Sequence, residues 1–254
     1  MRKSDFRAKI VCSNYAMKKA YKHYDNFVKS NYSDLDEINT AITYCSIAIK
    51  SDPQNELAYH LRGSMYSNKH WYRRACKDLN RAISLGFKDE YIYTDLGFAH
   101  MLVDEYSESV NNFSHALEIN PNYFKAWGQR GYAFLRMKLY DKAIPDLIIA
   151  LSLFPNDPST LRVLNRAYLE RGRHHLKAGR NLEAINDFTS ATSSRDFIVE
   201  AYEGRAAAYT NLGRVDEATA DIAKAKYFRE EEEHSKKIVM IDTNFLTIKI
   251  KQDS

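Results

Sequence analysis

The sequence predicts an all-α protein assembled from repeats, and three observations carry that expectation. Stepping back 34 residues from Trp127 lands on Tyr93 and then Tyr59, and the same step carries Gly131 to Gly97 and Gly63. Self-similarity at such a period marks a stack of small supersecondary units. Apolar residues recur at helical spacing, as Trp127, Gly131 and Phe134 do on one face. Finally, nine glycines and five prolines among 254 residues, with 44% hydrophobic and 28% charged side chains, favour ordered helix over disorder.

Taken in chain order, Phe6, Ile10, Met17, Tyr21, Tyr24 and Val28 fall close to one helical face, so residues 1–30 read as a long helix that covers the first repeat. An array follows over 31–232, with copies near 22–55, 56–89, 90–123, 124–157, 165–198 and 199–232. The first copy is a half match: Ala41, Cys45, Ala48 and Pro53 fill their columns, but no glycine does. In the three central copies Ala143 maps to Ser109 and Ala75, Leu147 to Phe113 and Leu79, and Ala150 to Ala116 and Ala82. The fifth copy supplies Tyr168, Gly172, Ala184, Phe188 and Ala191, and the sixth Tyr202, Ala206, Tyr209, Ala218, Ile222 and Ala225. Gly179 and Gly213 fall in the turn between paired segments.

Two local features need their own account. The fifth copy starts seven residues late, and the inserted PSTLRVL reads as a helix lengthened at its N-terminus with Ser159 as N-cap. Pro145 sits inside an apolar-periodic segment, which is tolerable if Asp141 caps that helix and places the proline near its first turn. Beyond the last copy, residues 233–254 prolong a helix and end in LTIKIK, whose alternation suggests a short strand or extended tail. There Phe245, Leu246, Ile248 and Ile250 could cap the array, fill its groove or join a second copy of the chain.

The Trp/Tyr–Gly–Ala–Pro columns at this period resemble the tetratricopeptide repeat (TPR), over about 22–232. The resemblance implies antiparallel helix pairs stacked into a right-handed superhelical solenoid. The columns suit that arrangement: glycine lets the second helix approach, and small residues lie where the backbones are nearest. One pair buries too little to fold alone, so copies must stack.

The resemblance also implies a function: a non-enzymatic interaction module or adaptor that holds a peptide or helix of a partner in the concave groove. Carried onto this sequence, the groove comprises Tyr91, Thr94, Asp95 and Phe98, then Lys125, Gln129, Tyr132 and Arg136, then Arg166, Leu169, Arg173 and Lys177. This aromatic and basic set suits an acidic segment with one apolar anchor. No register reproduces the two-carboxylate clamp with which some family members hold chaperone tails, and Asp95 would repel a carboxylate. The alternative is an assembly factor or self-associating scaffold acting through its ends and convex face.

Other chemistry is poorly represented. Phosphate-cradling, metalloprotease and nucleophile-elbow motifs are absent, so neither an enzyme nor a cofactor is expected. His174 and His175 point about 100° apart on a helix and cannot share a metal unaided. A net charge of +4 from 37 basic and 33 acidic residues gives little attraction for nucleic acid. Three cysteines without a Cys-x-x-Cys pair, no apolar leader and no membrane-length apolar run fit a cytoplasmic setting.

Overall fold

The computed structural model describes the backbone of residues 3–252 and the side chains of residues 8–234. Twelve α-helices follow one another: α1 (Lys3–Lys29), α2 (Leu35–Ser51), α3 (Glu56–Asn68), α4 (Tyr72–Ser84), α5 (Glu90–Met101), α6 (Tyr106–Ile119), α7 (Phe124–Arg136), α8 (Tyr140–Leu153), α9 (Pro158–Lys177), α10 (Asn181–Ala191), α11 (Ile198–Asn211) and α12 (Val215–Gln252). The chain divides into two compact units, Met1–Lys138 with α1–α7 and Leu139–Ser254 with α8–α12. Within each unit, helices adjacent in sequence pack on one another, and odd-numbered helices also touch: α3 with α5, α5 with α7, and α9 with α11.

The helices begin in two ways. Asn55, Asp89 and Asp157 cap α3, α5 and α9 by accepting a backbone N–H in the first turn, as Asp34 does for α2. By contrast α4, α6, α8 and α10 start without a side-chain cap. They follow a tight turn whose residue takes a positive φ: His70, Asp104, Lys138 and Gly179, with Gly213 in the same place before α12. Glycine accepts that conformation freely, whereas the other three residues do so at a steric cost.

The core is built from the small columns. Ala75, Ala82, Ala116, Ala143, Ala184 and Ala191 are all fully enclosed, and large side chains fill the space opposite the glycines. A Cβ on Gly63 would lie 2.8 Å from Leu79 Cγ, and one on Gly97 2.8 Å from Phe113 Cε1. Phe188 is wedged between two glycines, Gly172 of its own pair and Gly204 of the next, where a Cβ would lie 2.9 and 2.5 Å from its ring.

Several local expectations are corrected. In α1 the buried stripe runs through Ser13, Ala16, Met17, Ala20 and Phe27, while Tyr21 and Val28 are exposed; close approach to α2 favours the smaller residues. Phe6 lies outside the described side chains. The cap of α9 is Asp157, with Pro158 as first helical residue, so Ser159 sits inside the helix and donates to Asp157 instead. Helix α8 starts at Tyr140, which makes Pro145 its sixth residue and an interior proline, at a cost of ~3 kcal/mol. Asp141 is therefore no cap; its carboxylate accepts from Arg171 Nη1 at 2.9 Å.

Two corrections fall at the C-terminal end. Ile222, in the column that holds Leu79, Phe113 and Phe188, is 58% exposed, because among the described residues no further helix pair covers it. LTIKIK is not a strand: α12 continues through it to Gln252. A lone strand would leave its backbone groups unpaired, whereas a helix satisfies its own. The side chains of Phe245, Leu246, Ile248 and Ile250 lie outside the described residues.

Candidate functional site

Four of the odd-numbered helices, α3, α7, α9 and α11, carry a polar device that the sequence reading overlooked. Arg62 Nε and Nη2 donate to both oxygens of Asp78 at 2.6 and 3.0 Å, and Nη1 donates to Ser46 Oγ of the preceding pair at 3.0 Å. Arg205 repeats this with Asp221 at 2.7 and 2.9 Å and with Thr189 Oγ1 at 2.9 Å. Arg171 grips Asp187 at 2.9 and 2.8 Å, and Arg130 reaches Ser114 Oγ at 3.0 Å. Ser46, Ser114 and Thr189 each give their own proton to the carbonyl four residues back, leaving the oxygen to accept. A two-pronged arginine–carboxylate bond is directional, so it fixes helix rotation as well as adding energy. The legible signal was an arginine immediately before the column residues Gly63, Gly131, Gly172 and Ala206, with an aspartate 16 residues on: 62/78, 130/146, 171/187 and 205/221; the copy at Gly97 has Leu96 and Asn112 instead.

In the first unit α5 and α7 each leave one face outward. On α5, Tyr91 and Phe98 are exposed and Asp95 is half-buried, while Ile92, Leu96 and Ala99 point into the core. Thr94 is half-buried and gives its hydroxyl proton to Glu90 C=O at 2.7 Å. On α7, Lys125 and Arg136 are exposed and Gln129 and Tyr132 half-buried. Tyr91 meets Tyr123 edge-on, with ring centroids 5.5 Å apart.

The face continues onto α3 and α1. Ser64 Oγ donates to Asp95 Oδ2 at 2.6 Å, and His60 Nε2 lies 3.6 Å from the same oxygen. Tyr24, Tyr32, Ser64, Ser67, Asn68, Asp95 and Phe98 enclose a pocket of about 280 Å³. Its tyrosines were not among the expected site residues, because α1 meets α3 and α5 only through the fold.

The expected basic character needs correction. Arg136 lies 3.6 Å from the Asp104 carboxylate, donates to Tyr132 Oη at 3.2 Å and stacks over the Tyr106 ring. Acidic groups are close to the aromatic ones. Burial raises the Tyr123 hydroxyl pKa, and Tyr91, Asp95, Glu90 and Asp89 raise it further. Burial likewise raises that of Tyr24, followed by Tyr32 and Asp95, against a lowering hydrogen bond from Asn68.

In the second unit, Arg166, Arg173 and Lys177 are exposed on α9. Arg173 is held by Glu170 at 2.9 Å, whereas Arg166 and Lys177 carry no ion pair among the described residues. Leu169 leaves the expected set. It is 2% exposed and packs in the core with Ala184, Ile185 and Phe188, since it lies one turn before Gly172 on the same packing face.

Among the described residues, no three His, Cys, Asp or Glu side chains cluster as metal ligands, and no helix is long and apolar enough to cross a membrane. His174 and His175 both accept from or lie beside Arg180.

Comparison with known proteins places these features. Two family models, each described as "Tetratricopeptide repeat", match the chain, one over residues 169–230 and the other over residues 57–86 and 124–157. Anaphase-promoting complex subunit 3 of Schizosaccharomyces pombe is 28% identical over 162 residues, covering 59% of this chain and 24% of that protein. The chain thus spans about a quarter of that relative's length. Among solved structures, a tetratricopeptide repeat protein from Parabacteroides merdae has a TM-score of 0.55 at 21% identity, covering 85% of this chain and 79% of that one. YrrB, described as a TPR protein with an unusual peptide-binding site, has a TM-score of 0.55 at 17% identity, covering 68% and 85%. These likenesses show the fold.

Proposed function

The chain belongs to the tetratricopeptide repeat family, whose members are protein-interaction modules, and from that premise we propose that it acts as a non-enzymatic adaptor holding an extended segment or helix of a partner protein. The observation that carries this reading is the aromatic face of the first unit. Tyr91, Phe98, Tyr132 and the tyrosines around Asp95 stay accessible although they lie beside well-packed helices. Rigid aromatic side chains on a fixed scaffold are what anchors a partner at low entropic cost. The relationship to a subunit of a multiprotein complex is consistent with it. Lys125 supplies an exposed cation on α7 of the same unit, which sets on-rate and salt dependence more than affinity.

Affinity capture of the intact chain, followed by mass identification, supplies the partner for the test. Tyr91→Ala with Tyr132→Ala should abolish capture, while Ile119→Ser with Ile148→Ser, on exposed positions of α6 and α8, should leave it intact. The reverse result would move the function to the even-numbered helices.

A second reading, a scaffold that associates through its ends, draws on the exposure of Ile222 and Tyr227 on α12. It predicts a concentration-dependent mass in sedimentation that Ile222→Ser removes.

A further inference from the structure

We propose that the pocket between α1, α3 and α5 receives a lysine or arginine side chain of the partner, so that the first unit selects for a basic rather than an acidic residue. This deepens the adaptor reading above and rests on it.

The pocket has the composition a cation requires. Its one formal charge is the Asp95 carboxylate, whose side chain is 40% exposed. Oδ2 is engaged by Ser64 and His60, while Oδ1 accepts no hydrogen bond among the described residues. Around it stand the rings of Tyr24, Tyr32 and Phe98. Tyr32 is fixed edge-on against Phe27, with centroids 5.4 Å apart, and Phe98 is 38% exposed. A cation enclosed by a carboxylate and ring faces gains both Coulombic and quadrupole attraction.

Among the described residues no arginine or lysine lines the pocket to neutralise it. Lys69, which follows α3, turns away to Asn39 and stacks over Trp71, and Arg62 of α3 is bound to Asp78. Ser67 and Asn68 also line it, and the Asn68 amide is held by Ser64 C=O at 3.1 Å. The volume, about 280 Å³, is below the ~300–1,000 Å³ of small-molecule sites and fits one side chain better than a whole ligand. Glu90 and Asp89, on the same end of α5, extend the negative field toward Tyr123.

The test uses a random twelve-residue peptide library displayed on phage and selected on the full chain, with enriched peptides resynthesised and titrated by fluorescence anisotropy. Enriched peptides should share one lysine or arginine. Replacing that arginine by citrulline, its neutral isostere, should weaken binding about tenfold, and so should Asp95→Asn with the arginine peptide. The citrulline peptide should bind the wild type and Asp95→Asn equally, which shows that the two groups meet. Phe98→Ala, a change at an exposed side chain, should weaken the arginine peptide severalfold, and unchanged circular dichroism keeps either variant interpretable. If peptides bind and Tyr91→Ala weakens them, but no basic residue is enriched or Asp95→Asn changes nothing, the pocket assignment is overturned and the adaptor reading stands. If no peptide is enriched, or if Tyr91→Ala, Phe98→Ala and Asp95→Asn all leave binding intact, both fall.

Discussion

Replacing Arg205 by methionine tests whether the repeated arginine–aspartate bonds hold the helix pairs together. In the native chain the Arg205 and Asp221 side chains are 13% and 4% exposed, and the guanidinium meets both carboxylate oxygens at 2.7 and 2.9 Å. Those bonds hold the Arg205 pKa above its usual value against the opposing effect of burial. Arg205→Met keeps the packing of the aliphatic stem but leaves Asp221 enclosed with no donor among the described residues. Stranding one partner of a buried pair costs ~3–5 kcal/mol, and the retained stem puts the expectation at about 3 kcal/mol. The double change Arg205→Met with Asp221→Leu removes both charges and should recover to within about 1 kcal/mol of the native chain. Urea unfolding by far-ultraviolet circular dichroism at pH 7 measures the loss, and hydrogen exchange of α11 shows whether the last pair opens by itself. A single variant within about 1 kcal/mol of the native chain, or a double variant no better than the single, would refute the reasoning.

Three further outcomes follow from named contacts. Gly204→Ala gains ~1 kcal/mol of helix propensity, but its Cβ would lie 2.5–2.8 Å from the enclosed Phe188 ring, so the thermal midpoint should fall; a rise would contradict the packing described for α10 and α11. Under native conditions Ellman's reagent should label the exposed Cys12 first and Cys76 slowly, since burial pushes the Cys76 thiol up to about 11. Cys45, buried and pushed up to about 12, should react only in denaturant. Glu37 is held below the usual carboxylate range by hydrogen bonds from His23 and Asn26, Glu90 by Asn120, Asp157 by Thr160 and Glu217 by Arg214. Their contribution is complete above the unfolded pKa near 4 and is lost as pH falls through the folded values, so the thermal midpoint should be level from about pH 7 to 5 and drop below about 4. A midpoint that climbs on acidification would show that these contacts carry no stability.

The sequence by itself determined the repeat. Gly63, Gly97, Gly131 and Gly172, with the alanines of the partner helices, mark where two backbones must approach, a local requirement that survives into the chain as spacing. The same spacing carried the arginine–aspartate pairs, visible once side-chain chemistry is read 16 residues apart. What the spacing could not carry is whatever depends on neighbours distant in sequence. Leu169 looked like a groove residue until α10 and α11 enclosed it, and Ile222 looked like core but is exposed, with no further pair over it among the described residues. Arg136 and Arg173 looked like free cations, but Asp104 and Glu170 come within reach of them. Only the tertiary structure brought Tyr24 and Tyr32 to Asp95, because that pocket is made by three helices whose contributions lie up to 74 residues apart, and a helical period records which face is buried but not which helix buries it.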